Sequence, residues 1–278
     1  MTNRLPRLFH TLLLCAWLAG CGGNPAPVTD VQATCLRYTG ALAVIGLNIS
    51  GNALDNSIKV YANDTSCIVS PPTSASDRSA TCILTVPDSL KLPVRITSAS
   101  DYTVYSTTLT VPAPQVTFKT SLGDFVMELN PTAAPKSVTN FLSYVNKSPS
   151  FYNGTIFHRV EPTGNYVVQA GGYTSGLVAK TGLAAPIDLE SNNGLRNVRY
   201  SVGMARSTAV KSATSQFYVN LRDNTGFDYV SESSPGYAVF GRIVSGTAVI
   251  DLIASKPTTQ GTTVPVTDIT ITSATQTQ

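Results

Sequence analysis

Three short runs hold the side chains best suited to chemistry in this chain: Phe157-His158-Arg159-Val160, Gln169-Ala170-Gly171-Gly172 and Ser215-Gln216-Phe217-Tyr218. They set one arginine and two glutamines among aromatic and β-branched residues, with glycines where backbone must pass close by. That composition suits neither a hydrolase nor a metal site. It suits a pocket that grips an apolar group and offers a few polar contacts to a peptide. His158 stands beside the arginine, but neighbours on a strand face opposite ways, so it is expected to be structural.

The elements that must position these residues are mostly strands. From Gln115 onward, Val116–Thr120 and Gly123–Leu129 read as a strand pair around Ser121-Leu122-Gly123. Pro135 then opens a helix whose Val138, Phe141, Leu142 and Val145 recur at helical spacing. More strands follow, with a second helix near Thr247 to Ala254 and a last strand at Thr267–Thr272. Many strands with two helices predict a closed β-barrel capped by helices over 115–274. Ahead of it, residues 31–111 show short β-rich runs broken by turn residues, which predict a small β-sandwich, immunoglobulin-like. Pro112-Ala113-Pro114 marks the boundary between the two.

At 278 residues the chain fits a processed leader plus two domains. Nineteen Lys and Arg against sixteen Asp and Glu leave a mild net charge of +3, with the cations scattered. No nucleic-acid surface is implied. Arg4 and Arg7 precede an apolar run, Leu8 to Leu18, that is too short to span a membrane and reads as a secretory leader over 1–20. The junction Leu18-Ala19-Gly20-Cys21 resembles the bacterial lipobox, which predicts lipidation (palmitate) at Cys21 and a tether over 21–30. Gly22 after that cysteine points to the outer membrane, facing the periplasm. Export makes a disulfide plausible among Cys35, Cys67 and Cys82; Cys67 with Cys82 would staple a Pro/Ser/Thr-rich excursion, though the spacing allows any of the three pairings. A zinc site is disfavoured, because His158 is the one histidine beyond the leader.

From Gln115 to Ala274 the sequence resembles a cyclophilin of the bacterial periplasmic type. Six ordered blocks carry the resemblance: Ala134–Leu142, Tyr152–Val160, Val168–Gly172, Ser201–Arg206, Ser215–Val219 and Tyr237–Arg242. The resemblance implies peptidyl-prolyl cis-trans isomerisation of proline-containing polypeptides, without metal, cofactor or covalent nucleophile, by a monomer. It implies Arg159 as the catalytic donor and Gln169 as its orienting partner. It places Tyr166, Val167, Tyr218 and Phe227 around the proline ring, with Tyr237 beside them. Ala205, Arg206 and Gln216 fall on the groove for the residues before proline. Three departures stand out: Pro162–Tyr166 runs about two residues longer than the family's usual turn, Val167 stands where the family has Met, and Gly226 falls near the position of a tryptophan that eukaryotic members carry. They motivate one alternative, a groove that binds proline peptides with weak catalysis; a second, independent of them, is an envelope-binding protein acting mainly through residues 31–111.

Overall fold

The structure is a computed structural model that describes residues 28–39, 42–52, 54, 57–72, 74–85 and 91–277. The leader, Cys21 and most of the tether lie outside these residues, as does the side chain of Cys35.

The first strands are β1 (Val28–Thr39), β2 (Leu42–Gly51), β3 (Lys59–Ala62), β4 (Thr65–Ser66), β5 (Ile68–Val69), β6 (Asp77–Thr85), β7 (Lys91–Thr97) and β8 (Thr103–Thr110). They form two four-stranded sheets, ordered β1-β2-β6-β5 and β4-β3-β7-β8. Alternation drives the packing: Ile45, Leu47 and Ile49 of β2 and Leu92, Val94 and Ile96 of β7 are buried, while Lys91 and Pro93 point outward. The sandwich is not specifically immunoglobulin-like. The hallmark there is a disulfide joining the two sheets against a tryptophan. Here Cys67 follows β4, where the chain crosses from one sheet to the other, and is bonded to Cys82 on β6. The bond staples that crossing to the neighbouring strand.

The second half contains β9 (Gln115–Thr120), β10 (Gly123–Leu129), α1 (Pro135–Val145), β11 (Arg159–Glu161), β12 (Val167–Ala170), β13 (Tyr173–Thr174), β14 (Val178–Ala179), β15 (Ser201–Met204), β16 (Phe217–Asn220), β17 (Val239–Ser245), α2 (Thr247–Ala254) and β18 (Ile271–Gln276). Eight of these strands form one antiparallel sheet in the order β11-β12-β16-β15-β17-β10-β9-β18. The expected closed barrel is overturned by its ends: among the described residues no ladder joins β11 to β18, and the gap is spanned by an isolated bridge, Ile156 to Thr270, with scattered backbone bonds such as Phe157 N to Ile269 O at 2.9 Å. The sheet is an open, curled half-barrel capped by the two helices. Strand-forming residues alone do not reveal this, since closure depends on whether the first and last strands meet along their length.

The half-barrel curls around aromatic rings. Phe118, Phe125, Phe141, Tyr144, Tyr152, Phe157, Phe217 and Phe240 are all fully buried. Phe141 comes from α1, whose apolar stripe faces the sheet. Its N-terminus has no cap of its own; the distant Glu190 carboxylate accepts from Lys136 N at 2.9 Å, Ser137 N at 2.7 Å and Ser137 Oγ at 2.7 Å. An acid there satisfies orphan donors and complements the positive end of the helix dipole.

Candidate active site

Register builds the site. Arg159 on β11 pairs with Gln169 on β12, Gln169 with Tyr218 on β16, and Tyr218 with Gly203 on β15. Residues paired across antiparallel strands share a face, so these four form a row across the sheet. The intervening residues, Val160, Val168 and Phe217, point the other way and are buried in the core.

The row is joined by side-chain bonds. Arg159 Nη1 donates to Gln169 Oε1 at 3.3 Å, and Gln169 Nε2 donates to Gln216 Oε1 at 2.9 Å. Arg159 Nε and Nη2 donate to Glu161 Oε2, the former at 2.9 Å. The arginine keeps 34% of its side-chain surface open, so a substrate can reach it. Beyond the glutamines the rings of Tyr218, Phe227 and Tyr237 meet at 5.9 Å, 6.0 Å and 4.9 Å between centroids, a wall of rings one strand beyond Gln169 in the row. Ala205 N donates to Gln216 O at 3.0 Å, which fixes the next stretch of backbone alongside.

A profile of cyclophilin type peptidyl-prolyl cis-trans isomerases (CLD) matches residues 115–276, more than half of the chain. This protein belongs to the cyclophilin family. It is similar to a peptidyl-prolyl cis-trans isomerase of Acinetobacter baylyi, 48% identical over 51% of this chain and 73% of that one. A Streptomyces antibioticus isomerase is 46% identical over 51% of this chain and 84% of its own. Isomerase B of Escherichia coli K12 is 42% identical over 51% and 85% respectively. The cyclophilin is a peptidyl-prolyl cis-trans isomerase of bacterial type, acting on proline-containing substrates.

Not every residue expected at the site joins the row. The Arg206 guanidinium turns back to Gly236 O, at 3.0 Å from Nε and 2.8 Å from Nη2, and lies over the Tyr237 ring at 4.6 Å. It packs against that ring. Tyr166 has a φ of +52°, in the left-handed region, and stacks under the Arg222 guanidinium at 3.2 Å. Among the described residues no ring contact links it to the Tyr218 group. Val167 is buried between Glu161 and Asn220 in register. A cavity of about 400 Å³ is lined by Leu129, Leu195, Val198 and Val239 and touches none of the row.

Sequence reasoning missed the polar scaffold beneath the rings. Tyr218 Oη donates to Asn197 Oδ1 at 2.6 Å, and Asn197 N donates to Asp228 Oδ1 at 2.7 Å. Asn220 and Asn224 extend the network to the loop before the pocket, where Asn224 Nδ2 reaches Asn165 O at 2.9 Å. The cluster Asn220-Leu221-Arg222-Asp223-Asn224, directly after an apolar strand, was the available signal.

Gly203 is the other missed residue. A Cβ at this position would overlap the Tyr218 ring, which cannot readily yield because its hydroxyl is held by Asn197 and the Phe227 and Tyr237 rings pack against it. Gly203→Ala is therefore expected to destabilise the protein by about 1–3 kcal/mol and to weaken proline-peptide binding, read by urea denaturation and by titration. A fully stable variant with unchanged affinity would mean that the ring has room to move.

The pH response follows from two neighbours of the arginine. Burial, with the Arg159 charge beside it, lowers the His158 pKa to about 4. Burial alone would raise the Glu161 carboxyl, but the bonds from Arg159 and Asn165 prevail and hold it below its usual value. Neither group changes charge between about pH 5.5 and 8, so catalytic rate is expected to stay flat there. Stability behaves differently. A histidine kept neutral by folding stabilises above its unfolded pKa of about 6.5, and that contribution is lost as pH falls towards 4. A denaturation midpoint that falls over this range, with a flat rate profile above it, is the expected pair of results.

Proposed function

We propose that Arg159 catalyses the rotation of the Xaa-Pro bond. Resonance between the prolyl nitrogen and the preceding carbonyl sets a barrier of about 18–20 kcal/mol. Twisting the bond ends the resonance and leaves a lone pair on nitrogen. A guanidinium donor aimed at that nitrogen therefore stabilises the twisted state more than either planar one. Arginine stays charged and presents a planar fork, which suits it to the role. Tyr218, Phe227 and Tyr237 hold the ring, with Val167 and Tyr166 at its margin. Gln169 orients the arginine, while Gln216 and the backbone of Ala205 and Arg206 align the residues before proline.

The observation that carries this reading is the row itself, in which a reachable cation and an apolar wall stand on one face. The test is exchange of a Xaa-Pro peptide measured with the full chain. Acceleration by the wild type and none by Arg159→Ala is expected. Equal, slow rates in both while peptide still binds would favour a binding module.

We further infer a lipid-anchored protein of the periplasm: the junction Leu18-Ala19-Gly20-Cys21 supports processing before Cys21, with residues 21–30 as the tether. The Cys67–Cys82 bond is consistent with an oxidising compartment. Labelling with palmitate that Cys21→Ser removes is the expected result.

A further inference from the structure

We infer that Glu161 is a positioning residue for the isomerase reaction and acts through Arg159; this rests on Arg159 being the donor to the prolyl nitrogen. Glu161 and Arg159 are two apart on β11 and share a face. One carboxylate oxygen, Oε2, accepts from both Nε and Nη2 of the arginine. The other, Oε1, accepts from Asn165 N at 3.2 Å and Asn165 Nδ2 at 3.1 Å. Bonded on both oxygens, the carboxylate cannot turn.

The long turn before the pocket takes its shape from this grip. Gly164, with φ of +79°, passes so close that a Cβ there would stand 2.8 Å from Glu161 Oε1. Asn165 O is in turn held by Asn224 Nδ2 at 2.9 Å. The additional residues thus wrap the carboxylate and tie it to the scaffold under the rings.

A guanidinium has five N–H groups. Glu161 engages two of them and Gln169 one, which leaves one on each terminal nitrogen for a substrate. An exposed ion pair would contribute little. This one has a carboxylate only 18% exposed and bonded from two sides, so it fixes the arginine before the substrate arrives.

The experiment compares Glu161→Ala, Glu161→Gln and Arg159→Ala in the full chain. It reads kcat and peptide affinity by NMR exchange, urea midpoint, and solvent exchange of the Arg159 Nε–H signal. In Glu161→Ala, kcat is expected to fall about tenfold with affinity within about twofold, and the Nε–H signal to exchange faster. Glu161→Gln, which keeps an acceptor oxygen, is expected to recover part of the rate. An unchanged or raised kcat in folded Glu161→Ala overturns the inference. So does a fall explained by lost folded protein with the Nε–H signal unaltered. If Arg159→Ala itself keeps the wild-type rate, the reading of the arginine fails first. If Arg159→Ala is inactive while Glu161→Ala is normal, only the role of Glu161 falls.

Discussion

Arg159→Ala is expected to lower kcat/KM for a Xaa-Pro peptide about 100-fold or more, the usual loss when one preorganised transition-state donor is removed. The fold should survive. The side chain is partly exposed, and its backbone stays in the β11–β12 ladder. Glu161 keeps its bonds from Asn165. Arg159→Lys separates charge from shape, because an ammonium cannot give the Nε and Nη2 bonds together and so loses the side-on grip of Glu161. It should fall between wild type and alanine. Exchange rates within about twofold of wild type for folded Arg159→Ala would remove the arginine from the mechanism.

Phe118→Ala should be the most damaging truncation for stability, about 3–5 kcal/mol, from lost burial and the cavity left behind. Phe118 lies at the crossing of the aromatic core. Its ring stacks on Phe125 at 5.0 Å and meets Phe217 at 5.5 Å, Tyr152 at 6.0 Å and Phe141 at 6.2 Å. It therefore joins β9, β10, β16 and α1. Phe217 immediately precedes Tyr218, so loosening it should also blur the wall of the site. The check is a urea midpoint shift at unchanged slope. A loss below about 1 kcal/mol would mean the neighbours collapse into the space.

Much of the site could be read from residues whose neighbours are local. Arg159, Gln169 and Tyr218 sit in short blocks with fixed strand alternation, and Gln216 directly precedes the strand of Tyr218. Helix α1 was equally plain, because Pro135 and four apolar residues at helical spacing define it without help from elsewhere. What could not be read depends on distant partners. Whether β11 meets β18 is a property of the curl of the whole sheet. The turning away of the Arg206 side chain depends on Gly236, thirty residues later. Glu161 lies between these cases: its place on the arginine's face follows from alternation alone, but its bonds to Asn165 follow only from how the longer turn folds.

The contact between residue 203 and the phenol of residue 218 has a consequence for descent. An alkyl group on one and a hydroxylated ring on the other compete for the same space, so neither position is free to drift by itself. A lineage wishing to enlarge residue 203 must first let go of the anchored phenol, and the reverse route is blocked until a glycine is in place. The order in which these two positions can change is constrained by that single overlap.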